Sequence, residues 1–276
     1  MVDEYRPAIY HFNQTGTLLD RFIPMGTAAA GGQPLGTFGR EIIPSVYAQR
    51  RVNRGFEAVA LNQDTNTLYA FIQSPIDNPD NTGDTTSRNS DLLRILELNI
   101  TDPTNPLVSG QFIYLLENDL YDTNVDKIGD AVWLGGNKFG VIQRDSALGS
   151  DANKLVFEID LSDATNLETD VFNFIPGKTL EEHTAAELVT AGITSVEKNL
   201  LFNLTDLGYV AGDKPEGLAL MAGGKYPSFA VINDNDFGLS DDSIPGDGLQ
   251  DFNPNPIPVV VGVITPVPEP SNLSSM

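Results

Sequence analysis

Three stretches of this chain repeat one local design, and that repetition limits the possible folds more than any other feature. Gly55 to Pro75 reads GFEAVALNQDTNTLYAFIQSP, Lys127 to Asp145 reads KIGDAVWLGGNKFGVIQRD, and Lys214 to Asp236 reads KPEGLALMAGGKYPSFAVINDND. Each holds two apolar runs of strand length joined by a turn rich in Asn, Asp, Thr or Gly, the pattern of an antiparallel hairpin. Each also places a carboxylate (Glu57, Asp130, Glu216) just before or within its first run and ends its second run on a polar or charged group. A unit that returns at long intervals points to a repeat architecture.

The segments between the hairpins extend the unit. Arg94 to Ile100 and Gly110 to Glu117 read as two more strands, so Glu57 to Glu117 is a four-stranded meander led by an acid, the blade of a β-propeller. The second hairpin is followed by candidate strands at Lys154 to Leu161 and Val171 to Ile175. A helix is expected over Thr179 to Ala191, with Thr179 and Glu182 as a capping box and Gly192 as its stop. Asn199 to Leu204 is a further candidate strand. Ahead of all this, Ala8 to Phe12 and Leu18 to Met25 form a hairpin without an acid-led partner, followed by a Gly/Ala/Pro-rich loop over 26–40. The expected fold is therefore all-β: a partial β-propeller of four-stranded blades with one short inserted helix, spanning 1–264. A Pro-rich tail, 265–276, follows the last strand at Val259 to Ile264. The unpartnered first hairpin favours a piece of a longer propeller over a short closed ring.

Charge and composition exclude several classes. The chain has 16 basic and 38 acidic residues, a net charge of −22. A nucleic-acid binder needs a basic footprint, so a polyanionic partner is not expected. With 41% apolar residues the chain can build a core. It has no cysteine, which removes disulfides and thiolate metal sites. The longest apolar run, Val259 to Ile264, is far short of a membrane span, and the N-terminal MVDEYRPAIYHF lacks the basic start and apolar core of a signal peptide.

The three acids carry the candidate chemistry. If the first strand of each blade lines the axis, Glu57, Asp130 and Glu216 converge at one mouth of the channel. Like charges about 4 Å apart repel by about 4 kcal/mol at an effective dielectric near 20, so the cluster needs a cation, a shared proton or basic neighbours. Oxygen ligands of this kind suit Ca²⁺, with Mg²⁺ as the alternative, and Asn235 and Asp236 in the Asn-Asp-Asn-Asp run would add ligands. Arg144 and Arg88 are candidates to hold a small anionic substrate, since a planar guanidinium pairs with carboxylate or phosphate in two places. The competing reading is that each acid only caps its own blade. Gly177-Lys178-Thr179 lacks the first glycine of a phosphate-binding loop, because Phe172 stands there. No serine has glycine two residues before and after. Of the two histidines, His11 reads as packing in a strand and His183 as a solvated helix face.

RGFEAVAL with LYAFIQSP, KIGDAVWL with VIQRD, and KPEGLAL with NDNDFG, in that order, resemble the bacterial family called esterase-like activity of phytase, over about Ile9 to Gly238. The resemblance implies a β-propeller and hydrolysis of phosphate or carboxylic esters. Family members usually begin with a further region holding a Gly-Leu-Ser-Gly-like hairpin, and this chain starts after that point. Val267-Pro268-Glu269-Pro270-Ser271 looks like the PEP-CTERM sorting signal of exported bacterial proteins, without its apolar span and basic end. Together these give the expectation of an exported, extracellular or surface-bound hydrolase, with a catalytic set of Glu57, Asp130, Glu216 and Arg144. The alternative is a non-catalytic surface propeller that binds a ligand or protein partner.

Overall fold

The computed structural model describes residues 1–117, 126–169, 175–209, 212, 214–221, 228–235 and 259–265. It is mostly β, with four separate sheets taken in chain order. The first holds β1 (Val2–Asp3), β2 (Ala8–Phe12), β3 (Leu18–Pro24) and β4 (Arg40–Ile43). The second holds β5 (Phe56–Asn62), β6 (Thr67–Ile72), β7 (Leu92–Asn99) and β8 (Leu107–Leu115). The third holds β9 (Lys127–Gly135), β10 (Lys138–Arg144), β11 (Lys154–Asp160) and β12 (Glu197–Asn203). The fourth holds β13 (Pro215–Met221), β14 (Ser228–Asn233) and β15 (Val261–Ile264). Neighbouring strands follow chain order within every sheet, and all pair antiparallel except β3 with β4.

Several sequence expectations are corrected. The first unit is more than the hairpin of Ala8 to Phe12 and Leu18 to Met25: β1 and β4 complete a four-stranded sheet. The loop before β4 contains a short helix, α1 (Thr27–Ala30), whose first turn is held by Glu41: its carboxylate accepts the N–H groups of Gly26 and Ala28, both at 2.7 Å. The polar stretch after the first repeated hairpin holds another, α2 (Thr85–Asn89). The strand expected at Val171 to Ile175 falls largely on 170–174, outside the described residues; β12 is the fourth strand of that sheet. The helix expected over Thr179 to Ala191 is two pieces, a 3-10 turn at Leu180–Glu182 and α3 (Ala185–Thr190). Each piece has its own capping box, Thr179 with Glu182 and then Thr184 with Glu187, so the second box restarts the helix after an extended His183. Gly192, at φ 87, ends α3 as expected.

The apolar cores lie between consecutive sheets. On β5 burial alternates, so Phe56, Ala58 and Ala60 face inward, as a strand with one buried face requires. Tyr69 and Phe71 of β6 meet Phe139 of β10 with ring centroids 4.7 and 6.1 Å apart. Between the third and fourth sheets, Ile142 and Val156 pack with Leu218, Phe229 and Val231. A third cluster docks the segment around α3 on the second sheet, through Leu180, Leu188 and Ile193 against Leu92 and Ile113. Fully burying each such side chain contributes roughly 1.5–3 kcal/mol.

The first strands also touch edge to edge: β1 packs on β5, β5 on β9, and β9 on β13. Two glycines allow this approach. A Cβ on Gly55 would sit 2.6 Å from the carbonyl oxygen of Glu4, and one on Gly129 would sit 2.3 Å from that of Pro215. Backbone cannot yield as a side-chain tip can. Gly129→Ala is therefore expected to destabilise the protein by about 1–3 kcal/mol in urea denaturation, through overpacking alone. An unchanged midpoint would show that the third and fourth sheets do not meet there.

Candidate functional site

A polar cavity of about 380 Å³ opens where residues on or beside β1, β5, β9 and β13 come together. Strand register explains which side chains reach it. On β5, Phe56 pairs with Ile72 and Ala58 with Phe71, so Glu57 is the unpaired residue of a bulge. On β13, Pro215 pairs with Asn233 and Gly217 with Ile232, which leaves Glu216 unpaired in the same way. A bulge leaves its extra residue out of the ladder, and both glutamates line the cavity from such positions.

In the third sheet the bulge falls one residue earlier. Ile128 pairs with Gln143 and Asp130 with Ile142, so the unpaired position is Gly129. Asp130 is thus the counterpart of Ala58, not of Glu57, and a one-residue offset turns a side chain to the other face. Its carboxylate accepts the N–H of Leu218 at 2.6 Å and that of Ala131 at 2.8 Å, and it does not line the cavity. The convergence expected of three acids is met by Glu57 and Glu216; Asp130 ties β9 to β13. Burial raises the Asp130 carboxyl to about 6, against the pull of those two N–H groups.

The same register defines the other lining groups. The residues that follow each paired position on the second strand are Gln73, Arg144 and Asp234, and all three line the cavity. Lys127 and Lys214 enter from the starts of the third and fourth units, Arg54 from the turn before β5, and Glu4 from the turn after β1. Gln73 fixes two carboxyls at once: its Nε2 donates to Glu4 at 2.9 Å and to Glu57 at 2.5 Å, while its Oε1 accepts from Arg54. Arg144 donates to Glu216, and Lys214 lies 3.8 Å from Asp234.

Electrostatics follow from crowding in a partly dry site. Glu57 is pushed up to about 9, first by burial and then by repulsion from Glu216 and Glu4, with Arg144 opposing. It is therefore a carboxylic acid at neutral pH, a proton donor beside ionisable partners. Burial also raises Glu216, offset by Arg144 and Lys214. Lys127 is lowered, first by burial; Asp126 opposes this, and Arg54 and Arg144 add to it. Its Nζ donates to the hydroxyl of Ser146 at 2.6 Å, and Ser146, exposed at the rim, also lines the cavity.

The cluster therefore meets the repulsion of its acids with a proton and with basic neighbours. A calcium or magnesium ion would need several free oxygen ligands. Among the described residues no three His, Cys, Asp or Glu side chains are grouped to hold a metal, and Arg144, Lys214 and the Gln73 amide face the cavity's carboxylates. These residues do not fit such an ion. Asn235 does not line the cavity, and Asp236 lies outside the described residues.

Other candidates sit elsewhere. Arg88, on the exposed face of α2, donates to the carbonyl of Gly83 and lies 3.8 Å from Asp84, away from the cavity. His183 is buried rather than solvated, with Nδ1 2.7 Å from the Thr179 carbonyl oxygen and Nε2 accepting the Ile175 N–H. Sequence reasoning missed Glu4, because a two-residue β1 leaves no period to read. It also missed Lys127 and Ser146 as a pair, although both flank the second repeated hairpin.

Among the described residues no helix is long and apolar enough to cross a membrane. An uncharacterized secreted protein of Arthroderma benhamiae is 27% identical over 54% of this chain and 32% of its own length, so the chain matches about a third of that relative. No solved structure matches the chain. The family Phytase-like, described as esterase-like activity of phytase, matches residues 1–237. The chain therefore belongs to this phytase-like family.

Proposed function

We propose that this protein is an exported hydrolase of small anionic phosphate or carboxylic esters, acting in the cavity where the first strands of its sheets meet. In this reading the four sheets are blades of a β-propeller and the cavity is one mouth of its axis; the edge-to-edge packing of β1, β5, β9 and β13 supports it. Family membership supports the ester chemistry. The fungal relative, named as a secreted protein, supports export. The sorting-signal-like Val267 to Ser271 lies outside the described residues.

The observation that carries the reading is the 2.6 Å contact of Ser146 Oγ with Lys127 Nζ in the cavity that also holds Glu57 and Arg144. A serine hydroxyl is a weak nucleophile until a base takes its proton; Lys127, lowered by burial and ion-paired with Asp126 at 3.1 Å, is placed to take it. Ser146 Oγ attacks the ester's carbon or phosphorus, and its proton passes to Lys127. Arg144 and Arg54 stabilise charge on the ester oxygens. The Glu57 carboxyl protonates the leaving alkoxide. Water then attacks the acyl- or phosphoryl-serine and gives its proton to the Glu57 carboxylate, while Lys127 returns its proton to Ser146.

The test is Ser146→Ala, assayed with p-nitrophenyl acetate and p-nitrophenyl phosphate. Turnover is expected to fall by about 100-fold or more, with loss of any covalent adduct at residue 146 by mass spectrometry. Undiminished turnover in the variant, or none of either ester by the unaltered protein, would contradict the proposal.

A further inference from the structure

A second cavity, of about 400 Å³, lies beside the first sheet, between β3, α1 and the 3-10 turn at Ser45–Gln49. It shares no lining residue with the polar cavity. Most of its wall is apolar, including Ile23, Pro24 and Phe38. The charged residues in that wall are Arg6, Arg21 and Arg50, and no carboxylate lines it. In a chain of net charge −22, three arginines facing one apolar hollow need a physical reason.

The nearby acids make their hydrogen bonds elsewhere, although the charge of Asp3 still acts on Arg50. Asp3 accepts the N–H groups of Tyr5 and Arg6 on one oxygen and the Tyr10 hydroxyl on the other. Asp20 pairs with Arg40 at 2.8 Å. Backbone carbonyls hold two of the three arginines in place: Arg21 Nη1 donates to that of Phe38 at 3.1 Å, and Arg50 donates from Nη2 to that of Tyr5 at 2.7 Å and from Nη1 to that of Ala48 at 3.5 Å. The Arg21 guanidinium also lies 5.3 Å from the Tyr10 ring centre. The Nε atom of each is buried and has no hydrogen-bond partner in the protein. A buried donor left unsatisfied is costly, and a guanidinium pairs best with a two-oxygen anion.

We infer that this cavity binds a small amphiphilic anion, its carboxylate or phosphate head among Arg6, Arg21 and Arg50 and a short hydrocarbon body against Ile23, Pro24 and Phe38. A volume near the lower end of the usual range for ligand pockets fits a chain of medium length rather than a long lipid.

Isothermal titration calorimetry with octanoate, octyl phosphate, 1-octanol and acetate, each below any micelle concentration, tests this. One saturable site per chain is expected for octanoate, octyl phosphate or both, and the stronger of the two identifies the head group. Octanol and acetate are each expected to bind at least about tenfold more weakly, since one lacks the charge and the other the body. Arg50→Gln should weaken binding about tenfold or more. Ala30→Trp fills the hollow from an exposed position without removing charge, and should abolish binding in a protein whose circular dichroism melt is unchanged. The inference is overturned if neither anion saturates, if octanol binds as tightly as octanoate, or if Ala30→Trp binds like the unaltered protein.

Discussion

Replacing Glu57 with glutamine is expected to lower ester turnover by about 100-fold or more and, at the same time, to make the protein more stable at alkaline pH. Both effects come from one cause. Burial and the charges of Glu216 and Glu4 push the Glu57 carboxyl from 4.5 to about 9. Between those values the folded chain keeps a proton that the unfolded chain releases, so stability falls as pH rises through that window. The penalty is on the order of a few kcal/mol by pH 9, because each tenfold difference in proton affinity between the folded and unfolded chain corresponds to about 1.4 kcal/mol. Glutamine keeps the shape and cannot ionise, so the variant loses the slope. It also cannot donate a proton to a leaving group, so the alkaline limb of the activity profile, a fall through about pH 9 in the unaltered protein, disappears with the activity. Urea midpoints from pH 5 to 9 and initial rates over the same range measure both. A variant with the parent's pH slope would show that Glu57 is ionised like an exposed glutamate.

Glu181→Ala is expected to cost about 3–5 kcal/mol of stability. The Glu181 side chain is fully buried, and Arg94 Nε donates to it at 2.6 Å from a guanidinium that is 9% exposed. Its other oxygen accepts the Asn78 amide at 2.7 Å. Together these contacts fasten the segment leading into α3 to the second sheet. Without the carboxylate, the guanidinium keeps its contact with the neutral Gln111 amide at 3.3 Å, and a buried charge is left without its counter-charge. The pair Arg94→Met with Glu181→Leu should recover most of the loss, because neither charge then remains buried. Chemical denaturation of the single and double variants measures this; a loss below about 1 kcal/mol for Glu181→Ala would mean that the pair is wet and exchangeable.

The sequence shows the hairpins clearly, because their buried faces alternate with period two and Asn-, Asp- or Gly-rich turns bound them. The four-stranded grouping of the second sheet is legible for the same reason. Less legible are elements whose signal is short or non-local: β1 has two residues, and β4 pairs parallel with β3 across a loop that holds α1. The site is legible by residue type but not by register. Aligning Asp130 with Glu57 and Glu216 is natural on the text of the repeats, yet a bulge one residue earlier makes Gly129 their counterpart. Nothing in composition marks such a slip; the close approach of Pro215 to Gly129 does, and it is a contact between distant parts of the chain. His183 misleads in the same way, since a helix broken at Thr184 turns a residue expected on a solvated face inward.

Crowding around Gln73 leaves the Glu57 carboxyl protonated at neutral pH in the cavity shared by Lys127, Ser146 and Arg144. Carbon-detected NMR titration of protein labelled at the glutamate carboxyl carbon tests it most directly, with Glu57→Gln supplying the assignment. One resonance, absent from the variant, is expected to stay at its protonated position through pH 7 and to move near pH 9. If instead the resonance that vanishes in the variant titrates near the ordinary 4.5, the acid, the alkaline loss of stability and the proposed proton transfer to the leaving group all go with it.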